Sequence, residues 1–418
     1  MLRRALLRAA VRLRRTRRST DVLSLMPESV LVALRRDGLD PVLDQSEGPV
    51  RRVPLPWGFR GWLVTGYDEV RQVLADHDAY SNDFDNLVGR NRASAGLDPG
   101  GLGFTDPPDH TRLRQMLTPH FTAHRLKTLE PALATIVTQT VTDLERRIAE
   151  EGRADLVEHF ALPVPSLTIC ELLGVPYAER DQFQRLSQVR FDVSGGGMTS
   201  LSVIGESLDY FEDLVARLRR EPGPGLLGGL VADHGDDLSD RELAGVADGL
   251  LTGGLETTAS TLGMGAVLLL QRPVDRARLA GDPTFVGSYV EELLRYAAAV
   301  QVAFPRFARH DVDLAGSLVR RGDVVLCSLS AAGRDPRVVD HPDRFDPTAA
   351  RIPQLAFGYG IHRCVGAELA RLELRLALPE LCRRLPDLRL AVPEHELAYR
   401  PLALVYGLTS IPVTLAAR

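Results

Sequence analysis

One long apolar stretch limits the possible folds more than any other feature of this chain. Ser239, with Glu242 three residues on, has the form of a capping box that opens a helix. A helical, largely uncharged pattern then runs to Pro273, where the missing N–H and the bulky ring stop it. At about 1.5 Å per residue, that helix is near 50 Å long. A helix so long and so apolar has to be enclosed, so the rest of the chain must wrap around it. It does not read as a membrane span, because no run reaches the roughly 18 uncharged apolar residues that crossing requires.

With 418 residues and 44% hydrophobic content, the chain has enough material for that enclosure. Arg51–Pro54 and Gly61–Thr65 read as strands, and Asp68–Leu74 as a helix. Leu87–Gly103 is rich in Gly, Asn and Ser and reads as a long loop. Helices are expected at Asp109–Leu117, Lys127–Ile148, Thr284–Tyr296 and Val365–Leu378. Short strands are expected at Val312–Leu314, Ser317–Val319 and Val324–Ser328, with strand and turn over Leu402–Thr414. Gly195, Gly196 and Gly197 interrupt a helical region. The expected fold class is mainly α: a single large, mostly helical domain over residues 21–418 with small β-sheets, preceded by a basic arm over residues 1–20.

Charge and cysteine usage exclude several functions. The net charge is −5, yet residues 1–20 hold eight arginines and no acid, so the body is more acidic than the total suggests. Such a body does not suit duplex nucleic acid, which needs a basic footprint. The arm has Leu2, Leu6, Ala9 and Leu13 at helical spacing, and peripheral contact with an anionic membrane is the expectation it raises. Cys170, Cys327, Cys364 and Cys382 form no C-x-x-C pair and no disulfide framework, which suits a reducing cytoplasm.

Of these four, only Cys364 has informative neighbours. Phe357-Gly358-Tyr359-Gly360-Ile361-His362-Arg363-Cys364-Val365-Gly366 puts glycines on both sides of the thiol, where backbone turns and close approaches are needed. A helical pattern begins just after Cys364, and free N–H groups at a helix start would favour a thiolate. A thiolate in a glycine-lined loop, with Gly366 leaving room for a flat partner, is a setting for an axial haem ligand.

This loop resembles the haem-binding loop of the cytochrome P450 family, F-G-x-G-x-H-x-C-x-G, without a mismatch. The likeness extends from about residue 60 to 412 through four further motifs. It implies haem b as cofactor, with Cys364 as the metal ligand and Phe357, Gly358 and Gly366 in the cradle. Glu292-Leu293-Leu294-Arg295, with Arg344 of His341–Asp346, is similar to the buried structural network behind the haem loop. In Gly253-Gly254-Leu255-Glu256-Thr257-Thr258 the resemblance implies a widened helical turn for dioxygen at the two glycines. There Glu256 and Thr257 would be the acid–alcohol pair that manages protons. In Asp106-Pro107-Pro108-Asp109-His110-Thr111-Arg112-Leu113-Arg114, His110 and Arg114 share a helix face and would meet the haem propionates, as would Arg306 and His362. The closing Gly407–Val413 matches the family's terminal strand–turn, and Val300, Val302, Phe304 and Tyr406 would line a greasy substrate pocket.

The resemblance therefore implies a monooxygenase that inserts one oxygen atom of dioxygen into a small apolar organic substrate. Electrons would come from ferredoxin and ferredoxin reductase, docking against arginines such as Arg112, Arg363 or Arg371. A cytoplasmic monomer is the expected state. Two other readings stay open: a peroxide-driven haem-thiolate enzyme, which the acid–alcohol pair disfavours, and a haem protein that binds gas or ligand without catalysis.

Overall fold

The computed structural model describes residues 28–42, 47–55, 60–83, 86, 102–183, 201–350, 352–400 and 402–416. The basic arm, most of the Leu87–Gly103 loop and the Gly195–Gly197 break lie outside the described residues.

Helices dominate. In chain order the longer ones are α1 (Tyr67–Ala75), α2 (Asp109–Leu117), α3 (Ala123–Glu151), α4 (Pro163–Leu173) and α5 (Leu201–Arg220). They continue with α6 (Gly225–His234), α7 (Asp240–Gln271), α8 (Pro273–Gly281), α9 (Pro283–Ala297) and α10 (Ala367–Arg384). Helix α7 is the long apolar segment. Its capping box is complete, with the Ser239 hydroxyl accepting from the Glu242 N–H and the Glu242 carboxylate accepting from the Ser239 N–H. Buried side chains fall all round its second half, from Thr258 to Leu269, because α3, α4, α9 and α10 form one core with it. Helix α3 is longer than the sequence pattern suggests. The Thr122 side chain caps its start, and Gly152, at φ 77°, ends it in the left-handed conformation.

Besides a short pair formed by Arg36–Asp37 and Asp40–Pro41, the strands are β1 (Val50–Pro54), β2 (Arg60–Val64), β3 (Tyr80–Ser81), β4 (Ala154–Asp155), β5 (Arg306–Ala308), β6 (Val312–Leu314) and β7 (Ser317–Val319). After these come β8 (Val324–Cys327), β9 (Leu388–Leu390), β10 (Ala398–Tyr399), β11 (Leu408–Ser410) and β12 (Pro412–Leu415). One sheet has the order β1-β2-β8-β5-β3, with β2 and β8 parallel and Leu63 opposite Leu326. A second has the order β9-β12-β4, and β10 pairs with β11. The five-stranded sheet carries its own core, in which Trp62, Val64 and Val325 pack on Val70 and Leu74 of α1. Among the described residues, no helix is long and apolar enough to cross a membrane.

The core holds one ionisable group that the sequence reading did not single out. Glu373 of α10 is 4% exposed, and its Oε1 has no partner among the described residues. Burial pushes its carboxyl up to about 8, with a hydrogen bond from Thr168 of α4 pulling the other way. The folded protein therefore holds this proton at pH values where the unfolded chain releases it. The stabilisation is complete below the ordinary carboxyl range and is lost as pH rises towards 8. Glu373→Gln keeps the shape and removes the titration. Urea unfolding of both proteins is expected to show the variant gaining about 3 kcal/mol on the wild type between pH 5 and pH 7.5.

Candidate functional site

The site forms where the segment after α1, the start of α2, strand β5 and the loop before α10 converge. The Cys364 loop is shaped by its own backbone. The Cys364 N–H donates to the Phe357 carbonyl at 2.9 Å, and the Arg363 N–H to Gly360 at 3.0 Å. Gly358 and Gly360 have φ of 67° and 72°. At Gly360 a side chain would also run into the Leu74 carbonyl, so only glycine fits there.

Helix α10 begins at Ala367, two residues later than the sequence pattern suggests, because Gly366 is its N-cap. Cys364 thus precedes the helix rather than opening it, and its sulfur meets a single backbone donor, the Gly366 N–H. The thiol side chain is solvent-accessible, yet protein surrounds it in depth. Burial raises the thiol above its ordinary range, against the Gly366 N–H and the guanidinium groups of Arg114, Arg363 and Arg371. The Gly366 N–H thus acts toward the thiolate as a helix start would, while desolvation acts against it.

Beside this loop lies a cluster of basic groups whose nearby carboxylate, Asp106, acts on His110, Arg306 and His362 without pairing directly with any of them among the described residues. His110 is 2% exposed, and neither ring nitrogen has a partner among the described residues. Its ring centroid lies 4.2 Å from that of His362. Nδ1 of His362 is 3.1 Å from the Leu102 carbonyl, and burial, Arg306 and His110 push this imidazole down to about 3. Among the described residues, buried Arg306 donates only to the Phe304 carbonyl, at 2.8 Å, while Arg114 donates to the Arg363 carbonyl at 2.8 Å. Among the described residues, none of these four forms an ion pair with a carboxylate. Burying unpaired cations and orphaned imidazole nitrogens is costly unless an anion joins them. The donor set fits a ligand that carries carboxylates on one edge and offers a thiol-binding metal near its centre, as haem b does.

The backbone around the cluster is tied down by contacts of Asp106 and Arg371 that the sequence reading did not assign to them. Asp106 accepts from the Asn82 N–H at 2.8 Å, from Arg309 at 2.7 Å and from the Ser81 hydroxyl, which bolts the start of α2 to β3 and β5. Arg371 pairs with Glu291 at 2.6 Å and Glu368 at 2.8 Å, and its guanidinium lies 4.6 Å from the Phe357 ring centroid. Phe357 is thereby held against the core. The acid next to Glu292 in an otherwise apolar helix was the available signal for Glu291.

Glu292 and Arg295 form a bidentate pair at 2.7 Å with both side chains 2% exposed. Arg295 also donates to the carbonyls of Gly333, Pro342 and Arg344, and Glu292 accepts from the Asp346 N–H. Arg344 therefore joins through its carbonyl. The expected role of its guanidinium is corrected, since that side chain is 70% exposed and lies 3.8 Å from Asp346. The buried carboxylate is already satisfied by Arg295 and a backbone donor.

On α7, Thr257 Oγ1 donates to the Gly253 carbonyl at 2.7 Å, and Glu256 Oε1 accepts from Arg400 Nη1 at 2.8 Å. Helix α7 runs through Gly253 and Gly254, and the Thr257 hydroxyl takes the Gly253 carbonyl as its acceptor in that turn. Gly254 also has a packing reason: a Cβ there would lie 2.8 Å from Ile169 Cδ1 of α4. A Cβ on Gly253 would meet nothing within 4 Å.

The four expected pocket residues divide. Phe304 is 51% exposed and packs 4.4 Å, centroid to centroid, from Phe104. Val300 and Val302 pack instead against the cores of the strand region. Tyr406 is also corrected: it is 3% exposed, its hydroxyl donates to the Gly38 carbonyl, and it stacks on Tyr399. The apolar group that this closing segment exposes is Leu404. Of the arginines expected to dock a redox partner, Arg371 is buried in ion pairs and Arg112 is paired to Glu242 at 2.8 Å. Arg363 is half exposed.

Comparison with known proteins agrees with this geometry. The family model described as Cytochrome P450 matches residues 57–221 and 284–386. The chain is 37% identical over 389 residues to Cytochrome P450 165B3 of Amycolatopsis orientalis, covering 91% of this chain and 97% of that one. It is 39% identical to the Vitamin D(3) 25-hydroxylase of Pseudonocardia autotrophica, covering 90% and 92%. The solved structure of P450 StaH from glycopeptide antibiotic A47934 biosynthesis superposes with a TM-score of 0.82 at 39% identity, covering 92% of this chain and 99% of that one. The family uses haem b, and its members are oxidoreductases that incorporate oxygen. By fold, by loop and by relatives across its length, this chain belongs to the cytochrome P450 family.

Proposed function

We propose that this chain is a haem-thiolate monooxygenase acting on an apolar organic substrate, in which residues 21–418 form one catalytic domain, with electrons from a ferredoxin and its reductase in the cytoplasm. The observation that carries the reading is the cluster of His110, Arg114, Arg306 and His362, unpaired with any described carboxylate, beside the accessible Cys364 thiol. Haem b, when bound, supplies the activation of dioxygen. Cys364 would ligate its metal, and the two imidazoles and two guanidiniums would hold its carboxylates. Glu256 and Thr257 would hold and move protons for that chemistry, the Thr257 hydroxyl passing them on last. Phe304 and Leu404, both exposed and apolar, present the surface that favours a greasy substrate. The hydroxylase named among the relatives supports hydroxylation as the reaction. Arg363, half exposed and 3.8 Å from Glu368, and Arg112, 40% exposed beside Glu242, offer cations to an acidic redox partner.

A spectral titration with a panel of sterols, terpenes, macrolides and peptides tests the substrate class. An apolar polycyclic compound is expected to displace distal water and shift the haem band, and a panel in which only charged compounds do so overturns the reading. Thr257→Ala is expected to keep reducing-equivalent consumption while diverting most of it to hydrogen peroxide. Product coupling should fall by roughly 100-fold or more, as expected for loss of a proton-transfer group. Peroxide release measured per NADPH oxidised checks it.

A further inference from the structure

The closing hairpin of the chain lies along one face of α7. Glu256, Ser260 and Gly263 are four and three residues apart and share that face. Each is met by a residue of the terminal segment. Arg400 Nη1 donates to Glu256 Oε1 at 2.8 Å. A Cβ on Gly407 would lie 2.5 Å from the Ser260 hydroxyl oxygen, and one on Gly263 would lie 3.3 Å from Ile411 Cδ1. The Arg400 N–H in turn donates to the Gly407 carbonyl at 2.9 Å, so the residue that reaches the acid is fastened to the residue that touches the helix. Arg400 is 1% exposed, and the Glu256 side chain is 12% exposed. An arginine so buried beside a helical carboxylate is held by packing and cannot swing away as a surface cation would.

We propose that Arg400 is the positioning residue of the proton route: it holds the Glu256 carboxylate, through the closing hairpin, where it can take a proton from water and pass one on to the Thr257 hydroxyl. This rests on the assignment of Glu256 and Thr257 to that route. In each passage Glu256 gains one proton and releases one, and the Thr257 hydroxyl does the same, so neither is changed. Arg400 gives up no proton, and its guanidinium keeps the carboxylate in place between passages.

Two measurements test it on Glu256→Gln, Arg400→Met, Arg400→Lys and the double variant Glu256→Gln/Arg400→Met. The first is urea unfolding of the purified proteins, which needs no turnover. The double variant is expected to be no less stable than Arg400→Met alone; additive losses overturn the pairing. The second is the solvent deuterium isotope effect on dioxygen consumption, driven by NADPH through a surrogate ferredoxin and reductase with no organic substrate added. Arg400→Met is expected to raise it at least twofold, as Glu256→Gln does, and Arg400→Lys to restore most of the wild-type value. If Glu256→Gln raises the isotope effect and Arg400→Met leaves it at the wild-type value, Arg400 is only structural and the inference fails while the proposed function stands. If Glu256→Gln itself leaves the isotope effect unchanged, Glu256 leaves the proton route and the assignment beneath the inference fails.

Discussion

Cys364→Ser is expected to give a folded protein whose reduced carbonyl spectrum lacks the strongly red-shifted band and whose oxygenation activity falls by more than about 100-fold, a loss that changes at outer-shell positions only approach. The loop does not depend on the sulfur for its shape. It is fixed by the Cys364 and Arg363 backbone bonds and by Gly360 against the Leu74 carbonyl, and serine preserves all of these. What serine lacks is an ionisable group of suitable affinity, because an alcohol is a far weaker acid than a thiol. The wild-type thiol is already raised by burial, so the margin for a weaker acid at this position is small. Far-ultraviolet circular dichroism and the reduced carbonyl difference spectrum, taken on the same sample, check both halves. An unchanged spectrum would remove Cys364 from the metal.

Arg295→Leu is expected to cost 3–5 kcal/mol in unfolding free energy, the range for breaking a buried ion pair by removing one member, and to speed loss of haem from the surviving fold. The substitution leaves the Glu292 carboxylate buried with only the Asp346 N–H, and it strips donors from the carbonyls of Gly333, Pro342 and Arg344. Those three carbonyls belong to the segment that leads into the Cys364 loop, so the loop loosens along with the core. Arg295→Lys retains charge without the planar fork and is expected to fall between the two. Urea unfolding and the rate of haem transfer to apomyoglobin measure the two effects. Equal stability of Arg295→Leu and wild type would show that the pair contributes nothing.

The same contrast marks how far the sequence could be read. Glu292 and Arg295 were legible through the family resemblance, since a spacing of three alone would equally describe a solvated surface pair. Arg344 was not, because nothing in a linear pattern tells whether a residue joins a network by its guanidinium or its carbonyl. Helix α7 was legible at both ends, from a capping box and a proline. The close neighbour of Gly254 was not, since glycine there suits either an opened turn or a tight contact, and nothing in the linear pattern names Ile169. Val302 and Tyr406 were apolar or aromatic near the right segment, but Val302 packs, partly buried, against the core of the strand region, and a hydroxyl partner at Gly38 holds Tyr406 in the core. Arg400 left one faint mark, a lone cation in an apolar closing stretch, and its meaning needed the third dimension.

The strand pairing has a consequence for how the polypeptide is made. β2 waits for β8, and Val64 finds Cys327 only after more than half the chain has been synthesised between them. Ala154 of β4 pairs with Val413, almost at the last residue. Such distant closures exact their loop entropy before any ladder returns it, so sheet assembly is late and slow compared with the helices in between. A nascent chain stalled before residue 324 carries β1 and β2 with an unpaired edge, and one ending before Pro412 leaves β9 and β4 without the strand that joins them. During biosynthesis these exposed edges are where chaperones would have to act, and stop codons in the last ten residues would act as folding lesions as much as truncations.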